Sequence, residues 1–342
     1  MPTVADLFCG AGGLSLGFSN AGFSSVFAID NDKCACETYA RNLGTHVVNA
    51  PIENLRVRRE SAGLLWTVSE LESRTPHVDV LVGGPPCQGF SSLNRRASAQ
   101  GDPRNSLWTE YYRILSEISP RVFLIENVPQ LLRSGEYAKL RRRAIKLGYD
   151  VASGVLNAQH FGVPQKRLRA FVIGVRDSIA SLPQPADLKH VTVRAAFRGL
   201  SLRPNNRNLH VGRNPTPLSL KRYSCVPPGG NRFDLPAKLL PPCWQKKKHG
   251  STDVFGRMWY DRPAPTIRTE FIKPEKGRYL HPKADRPITL REGARLQSFP
   301  DDFIFHGSYT QIAKQIGNAV PVVLAEALAK HVMQYYFFDR AA

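Results

Sequence analysis

The feature that most limits the fold is the glycine-rich stretch DLFCGAGGLSLGF at residues 6–18. It follows a short apolar run typical of a strand and opens a segment with helical periodicity. A glycine-rich turn in this position lets a nucleotide-like ligand approach the backbone at a helix N-terminus. The dinucleotide fingerprint G-x-G-x-x-G is incomplete, because Gly10 and Gly12 fit it but Ser15 stands at the third glycine position. The loop therefore favours an adenosine-type cofactor without phosphates.

Strand-like and helix-like segments alternate through the first half of the chain. Strands are predicted at 3–8, 24–29, 78–83 and 121–126, and helices near 14–21, 33–43, 61–73, 106–118 and 136–147. This alternation predicts an α/β fold with a parallel sheet covered on both faces. Two more strands, near 149–156 and 168–175, are expected to extend the sheet, and helical patterns return at 289–297 and 310–337.

Asp30 ends the second predicted strand, 20 residues after Gly10. A carboxylate at this place can accept hydrogen bonds from a ribose diol. It can equally cap the helix that follows, and the residues alone leave both roles open.

The charge of the chain is unevenly distributed. The 342 residues carry a net charge of +19, and residues 176–286 supply +14 of it, with 22 Lys and Arg against 8 Asp and Glu. The same region holds 14 of the 26 prolines, so we expect a loop-rich basic module. A charge of this size indicates a polyanionic partner, with nucleic acid favoured over an anionic membrane surface.

Composition excludes several classes of protein. No apolar stretch approaches the roughly 20 residues needed to cross a bilayer, and the start MPTVADLFCG lacks the basic and apolar regions of a secretory signal. Six cysteines without a C-x-x-C pair indicate neither a disulfide scaffold nor a zinc site. We therefore expect no metal and a reduced, cytosolic-type compartment.

The stretch DVLVGGPPCQGFSSLN at 79–94 places Cys87 just past a stiff turn at the end of a predicted strand. A packed cysteine is the simpler interpretation, because free cysteine is among the most buried residue types. The alternative is a nucleophile held at the edge of the sheet. Local sequence does not decide between them.

Six short motifs follow one another along the chain. They are F-x-G-x-G at 8–12, P-P-C-Q at 85–88, E-N-V at 126–128, Q-x-R-x-R at 165–169, R-L-Q-S-F-P at 295–300 and Q-x-G-N-x-V-P at 315–321. In this order and spacing the chain resembles DNA (cytosine-5)-methyltransferases of the bacterial restriction-modification type.

The resemblance implies a Rossmann-like, S-adenosyl-methionine-dependent methyltransferase sheet with a smaller, loop-rich basic target-recognition domain. The catalytic and cofactor-binding domain would comprise residues 1–175, completed by 287–342. The target-recognition domain would comprise residues 176–286, and the basic charge of that region supports this division independently.

The resemblance also implies the chemistry. Cys87 would add to carbon 6 of cytosine, making carbon 5 nucleophilic enough to take a methyl group from a sulfonium donor. Glu126 would hold a proton against ring nitrogen 3. Arg169 would contact the cytosine carbonyl oxygen, with Arg167 a second cation on the same strand face. Alternatively, Glu126 is a strand-end carboxylate paired with an arginine, and either arginine binds Glu126 or phosphate.

By resemblance, S-adenosyl-methionine would be held by residues from several motifs. They are Phe8, Gly10, Gly12, Phe18, Asp30, Ile52, Leu107, Asn318 and Val320, with Phe18 expected to stack on adenine. Two positions depart from the family pattern. Asn31 stands where many members carry an aromatic residue, and Pro51 stands where an Asp usually meets the adenine amino group.

Double-stranded DNA is the expected partner, with the target base rotated out of the duplex. The predicted DNA contacts are Gln88, Ser91, Arg95, Arg96, Lys246, Lys247, Lys248 and Arg257. The polar, basic segment 91–105 is interpreted as a loop that closes over the DNA, with an ordinary surface loop as the alternative.

Other functions remain as alternatives at this point. A tRNA cytosine-5 methyltransferase of the same fold would keep the same catalytic motifs. A catalytically silent DNA-binding protein is disfavoured by the complete motif set, and a nicotinamide oxidoreductase by Ser15. We expect a monomer in the cytoplasm of a prokaryotic cell, associated with the nucleoid, without a stable protein partner but with a restriction endonuclease as a possible companion.

Overall fold

The structure, a computed structural model, describes residues 1–86, 106–185, 189–245 and 250–338. The chain divides into two compact units. Unit 1 comprises Met1–Asn157, Leu168–Ala186 and Val320–Ala342, and unit 2 comprises Ala158–Arg167 and Asp187–Ala319.

The strands belong to unit 1. They are β1 (Thr3–Leu7), β2 (Ser24–Asp30), β3 (Val47–Asn49), β4 (Leu55–Glu60), β5 (Gly63–Val68), β6 (Leu71–Thr75), β7 (Val80–Gly83), β8 (Val122–Asn127), β9 (Asp150–Asn157) and β10 (Leu168–Val175). Seven form one sheet in the order β3-β2-β1-β7-β8-β10-β9. Within this sheet, neighbours in the series β3, β2, β1, β7 and β8 pair in parallel. In contrast, β10 is antiparallel to both β8 and β9. The predicted α/β fold is confirmed, with an antiparallel extension at one edge.

Helices of both units complete the fold. They are α1 (Gly13–Asn20), α2 (Lys33–Leu43), α3 (Ser106–Ile118), α4 (Gly135–Lys146), α5 (Val193–Ala196), α6 (Pro217–Ser224), α7 (Pro242–Gln245), α8 (Leu290–Leu296), α9 (Tyr309–Asn318) and α10 (Val322–Met333). Within unit 1, α1 packs closely against α10, because a Cβ added at Gly17 would lie 2.4 Å from the Cβ of Ala325. The absence of a side chain at Gly17 therefore brings these two helices together.

The sheet has a topological switch point between β1 and β7. From β1 the chain builds one side of the sheet through β2 and β3, and it returns through β7 to build the other side. Open α/β sheets bind ligands beyond the carboxyl ends of the strands at such a point. The segments that leave β1 and β7 there are the glycine loop at 8–12 and the turn at 84–86.

Residues 55–75 form a separate antiparallel sheet in the order β4-β5-β6, so the prediction of a helix near 61–73 is wrong. Gly63 has a φ of +145°, and a Cβ there would lie 2.1 Å from the carbonyl oxygen of Thr75. Trp66 stacks on Phe27 of the main sheet with ring centroids 3.9 Å apart. Burial of this indole overrides the local helical pattern, as tertiary packing often does.

The two units differ from the predicted domains at three places. Residues 176–185, predicted in the target-recognition domain, belong to unit 1, where the backbone N–H of Ala180 donates to the Asp150 carboxylate at 2.8 Å. Residues 158–167 and 287–319 belong to unit 2, whereas the motif order predicts them in the first domain. The physical reason for these two differences is the hydrogen bonding of Gln165. Its side-chain amide donates to the carbonyl of Leu296 at 2.9 Å and to the side chain of Gln297 at 2.8 Å, inside unit 2.

Unit 2 contains little regular structure and is held together by buried arginines. Arg278 is 4% exposed, and its guanidinium donates to the carbonyls of Gly229, Gly230 and Thr252 at 2.8 Å each. Such bonds satisfy carbonyl groups that a helix or strand would otherwise pair. A small core completes this region, formed by Tyr223, Val226, Leu235, Phe255 and Leu280.

One stretch of the described residues, Tyr309–Phe338, is long and apolar enough to cross a membrane by length and composition. Sequence inspection predicts no such stretch. Most of its apolar window is buried inside the protein, and Pro321 separates α9 from α10 within it. Buried core helices of ordinary globular proteins have the same composition.

Candidate active site at the carboxyl ends of the strands

The glycine loop that follows β1 is made of backbone in unusual conformations. Phe8, Gly10 and Gly12 have φ values of +62°, +54° and +89°. A Cβ at Gly12 would lie 2.4 Å from Leu43 and 2.9 Å from Tyr39, whereas a Cβ at Gly10 would meet nothing within 4 Å. Gly12 therefore fits against α2, and Gly10 leaves open space above the loop, which suits the close approach of a ligand.

Asp30 fastens this loop to the end of β2. One carboxylate oxygen accepts the backbone N–H of Gly10 at 2.8 Å, and the other accepts the N–H of Asp32 at 2.8 Å. The cap of α2 is Asp32, whose side chain accepts from Cys34 and Ala35. Of the two roles left open for Asp30, the helix cap is therefore wrong.

Asp6 and Ser15 form a second anchor of the loop that sequence reasoning missed. The Ser15 hydroxyl donates to the Asp6 carboxylate at 2.6 Å, and both residues are buried. Burial raises the pKa of Asp6 to about 7. The available signal was the pairing of an acidic residue inside an apolar strand with a serine at the third fingerprint position.

The predicted cofactor residues of unit 1 fall into two groups. Phe8 and Leu107 are partly buried and pack against the large core cluster of unit 1, to which Ile52 belongs. Phe18 is 0% exposed and packs against Phe23 with ring centroids 5.0 Å apart. Phe18 is a core residue in this structure, and the expectation that its ring is available to stack on adenine is corrected.

The last two predicted cofactor residues lie near the end of the motif series. Asn318 is the exposed last residue of α9, in unit 2. Val320 is 7% exposed and belongs to unit 1.

At the ends of β8 and β10, Glu126 and Arg169 form an ion pair with 2.9 Å between Oε1 and Nε. Their side chains are 12% and 17% exposed. Strand register explains the pair, because Glu126 lies opposite Phe171, and Arg169 shares the face of Phe171 two residues away. The alternative in which an arginine binds Glu126 is thus what the structure contains.

The turn that leaves β7 lies beside this ion pair. A Cβ at Gly84 would lie 3.3 Å from Oε2 of Glu126. The side-chain amide of Asn127 donates to the carbonyl of Pro85 at 2.7 Å. Asn127, a motif residue to which no role was assigned, therefore ties the end of β8 to the P-P-C-Q turn, directly before Cys87 in the sequence.

Arg167 does not share the environment of Arg169. It is 1% exposed, precedes the first residue of β10, and donates to the carbonyls of Ile267 at 2.9 Å and Gly317 at 3.1 Å. The prediction of a shared strand face is wrong, because the strand begins at Leu168. The Q-x-R-x-R motif is therefore divided between two roles. Gln165 and Arg167 stabilise the structure of unit 2, and Arg169 lies at the candidate site.

Arg257 also proves to be structural. It is 4% exposed and donates to the carbonyls of Tyr223, Val226, His281 and Ala284. The prediction of a DNA contact is corrected, because this guanidinium is consumed inside unit 2. Eight other predicted residues lie outside the described residues: Cys87, Gln88, Ser91, Arg95, Arg96, Lys246, Lys247 and Lys248.

A metal site, or a nucleophile other than Cys87, would require suitable side chains among the described residues. No group of three metal-ligating side chains occurs there. Burial raises the pKa of Cys9 well above its usual range and that of Cys36 to about 12. Both thiols stay protonated near neutral pH, which makes them poor nucleophiles.

Known proteins match this sequence along nearly its whole length. Residues 2–334 match the family profile described as C-5 cytosine-specific DNA methylase. The Type II methyltransferase M1.HphI of Haemophilus parahaemolyticus is 36% identical over 97% of this chain and 87% of its own length. The Type II methylase M.HgiDII of Herpetosiphon aurantiacus is 32% identical over 97% of this chain and 95% of its own.

Solved structures share the architecture. A protein from E. coli described as a DNA modification methyltransferase encoded within a prophage has a TM-score of 0.73 and 27% identity, over 98% of this chain and 99% of its own. The Dnmt2 methyltransferase of S. pombe has a TM-score of 0.64 over 98% of this chain and 99% of its own. Its 18% identity limits that likeness to the fold.

Matches of this length and identity confirm the resemblance that the six motifs carry. The chain is an enzyme of the restriction-modification type, and it belongs to the C-5 cytosine-specific DNA methylase family.

Proposed function

We propose that the enzyme transfers a methyl group from S-adenosyl-methionine to carbon 5 of a flipped-out cytosine in a specific double-stranded DNA sequence, through a covalent bond between Cys87 and carbon 6. The observation that carries this proposal is the Glu126–Arg169 ion pair beside Gly84. It lies next to the turn that leads directly to Cys87 in the sequence.

Each side chain would supply a separate part of the chemistry. The Cys87 thiolate adds to carbon 6 and breaks the conjugation of the ring, so carbon 5 acquires enamine character. After carbon 5 has taken the methyl group, loss of its proton to a base and cleavage of the bond between Cys87 and carbon 6 restore the ring and release the thiolate. Glu126 holds a proton at ring nitrogen 3, where negative charge develops. Arg169 donates to the carbonyl oxygen of the base. Asn127 acts as a positioning residue, because it fixes the turn relative to the acid.

The described residues fit S-adenosyl-methionine. Gly10 leaves open space above the loop, the carboxylate of Asp30 lies at the end of β2, and no phosphate-binding third glycine is needed. When bound, the cofactor supplies the methyl group on a sulfonium centre. Gly10, Gly12 and Asp30 would hold its ribose and amino-acid part, and Phe8, Ile52 and Leu107 would line the apolar side.

Unit 2 would recognise the DNA sequence. Its basic charge supports contact with phosphates, and the segments 91–105 and 246–248 would add contacts during base flipping. The relatives are Type II methyltransferases, which supports a role in the bacterial cytoplasm beside the nucleoid and a companion restriction endonuclease. The enzyme would act as a monomer, since one flipped base requires one active site.

Bisulfite sequencing tests this proposal. DNA from a methylation-free host that expresses the chain should contain protected cytosines in one recurrent sequence context. Cys87→Ser should abolish protection while S-adenosyl-methionine still raises the melting temperature of the protein. Protection by the Cys87→Ser variant would contradict the nucleophile assignment.

Absence of protected cytosines with the wild-type chain would contradict DNA as the substrate. In that case transfer RNA is the next substrate to test, with the same two proteins. Lys166→Gln serves as the matched control throughout, because Lys166 is an exposed cation next to the motif arginines and should leave protection unchanged.

A further inference from the structure

A surface cleft of about 360 Å³ lies wholly within unit 2. Its lining combines aromatic rings with cationic side chains and two prolines: Arg194, Pro228, Trp259, Tyr260, Asp261, Arg262, Pro282 and Lys283. None of these residues belongs to the six motifs or to the predicted DNA contacts.

The cations of the cleft are braced by its aromatic rings. The guanidinium carbon of Arg194 lies 4.3 Å from the ring centroid of Tyr260, and Nζ of Lys283 lies 4.8 Å from the same centroid. The guanidinium carbon of Arg262 lies 5.0 Å from the centroid of Trp259. Long cationic side chains lose conformational entropy when they bind a ligand, and bracing in advance reduces that cost.

Trp259 of the cleft is held in place by Gly229 and Arg278. Gly229 has a φ of +76°, and a Cβ there would lie 2.2 Å from Nε1 of Trp259. The buried guanidinium of Arg278 lies 4.3 Å from the Trp259 centroid and donates to the carbonyl of Gly229 at 2.8 Å. Trp259 is thus seated on backbone that a buried arginine holds in place.

The cleft carries a net positive charge, part of which a carboxylate neutralises. Three cations face one acid, Asp261, and the acid forms a bidentate pair with Arg194 at 2.5 and 2.7 Å. The two partners are 55% and 69% exposed, so solvent screens the pair and it contributes little to stability. Arg262 and Lys283 carry the positive charge that Asp261 does not neutralise through this pair.

We propose that this cleft grips the phosphodiester backbone of duplex DNA, with Arg262 and Lys283 as the principal contacts and Asp261 as an internal competitor for Arg194. Cations already cover the ring faces, which favours an anionic ligand over a stacked base. An arginine fork matches a phosphate in two hydrogen bonds. The inference rests on the proposed function, because it names one phosphate site on the unit that would bind DNA.

Salt-dependent binding of the full-length protein tests the proposal. Affinity for a fluorescent duplex is measured between 50 and 200 mM salt, with Arg262→Gln, Lys283→Gln and the double variant. Each lost phosphate contact should reduce the slope of log K against log[salt] by about 0.9. Both a substrate duplex and a scrambled duplex should lose affinity to the same extent, since phosphates carry no sequence information.

Two further variants sharpen the result. Asp261→Asn should increase affinity, because it removes the competitor for Arg194. Arg58→Gln, which changes an exposed cation of unit 1, should leave the slope unchanged. An unaltered slope for the Arg262 and Lys283 double variant, with a wild-type melting temperature, would overturn the proposal.

The two proposals fail in different ways. If wild-type enzyme protects cytosines in cells but the cleft variants bind with an unaltered slope, only the phosphate site is wrong. If wild-type enzyme protects no cytosines in DNA, the proposed function fails whatever the slope is.

Discussion

The two units of this enzyme satisfy their backbone hydrogen-bonding groups in different ways. Unit 1 satisfies its backbone through a sheet and helices, and its candidate site combines backbone turns with the Glu126–Arg169 ion pair. Unit 2 has little regular structure and satisfies many carbonyls with buried guanidinium groups. An arginine in unit 1 can therefore serve chemistry, whereas several in unit 2 replace secondary structure.

This difference changes how the basic charge should be interpreted. Arg167, Arg257 and Arg278 are at most 4% exposed, and each donates to backbone carbonyls. They add to the net charge without offering a surface to DNA. Exposed cations such as Arg262 and Lys283 are the ones available for phosphates, so the number of basic residues overstates the extent of the DNA-binding surface.

The largest expected effect is the loss of a buried arginine from unit 2. Arg257→Met should lower the free energy of unfolding by about 3–5 kcal/mol, because several buried carbonyls lose their donor. Arg262→Gln, an exposed arginine of the same unit, should change it by less than about 0.5 kcal/mol. Urea denaturation of both variants measures the contrast, and equal losses would erase the distinction between structural and surface arginines.

Asp6 should make the stability of unit 1 depend on pH. Its pKa is raised by burial from 3.8 to about 7. Its contribution to the free energy of unfolding is therefore fully present below about pH 4 and is lost as the pH rises through about 7. The loss is on the order of 4 kcal/mol. Asp6→Asn keeps an acceptor for Ser15 and should remove this dependence.

Thermal unfolding between pH 4.5 and 8 compares Asp6→Asn with the wild type. If the melting temperatures of the two proteins change in parallel with pH across this range, the Asp6 carboxyl is already charged in the folded protein at pH 4.5, which would contradict the prediction.

The ion pair of unit 1 should matter for catalysis more than for folding. Glu126→Gln should reduce single-turnover methyl transfer by about 10²–10³-fold, because charge on the ring is no longer stabilised. Its melting temperature and its binding of S-adenosyl-methionine should remain close to wild type. A large fall in melting temperature with this isosteric change would assign the pair a structural role like that of the unit 2 arginines.

The smallest expected effect separates the two loop glycines. Gly12→Ala combines a left-handed φ with a clash against Tyr39 and Leu43 and should cost about 2–3 kcal/mol of stability. Gly10→Ala carries only the backbone cost of about 1–2 kcal/mol, but its methyl group enters the proposed ligand space. It should therefore weaken cofactor binding more, as measured by calorimetry.

Local patterns predicted the parallel centre of the sheet and the loop after β1, because strand and turn chemistry there depends on neighbouring residues. They did not predict β5, since the partner of Trp66 is Phe27, almost 40 positions earlier. The structural roles of Arg167 and Arg257 could not be predicted for the same reason. Sequence shows a basic residue, but whether it contacts carbonyls or phosphates depends on residues about 30 to 150 positions away.

The close packing of α1 against α10 at Gly17 has a consequence for biosynthesis. The first helix of unit 1 finds its neighbour only after residues 322–333 have left the ribosome, when all of unit 2 has already been made. Contacts so distant in sequence form late. The α1 surface that meets Ala325 lacks its native partner until the end of elongation, so we expect fragments that end before residue 322 to fold poorly.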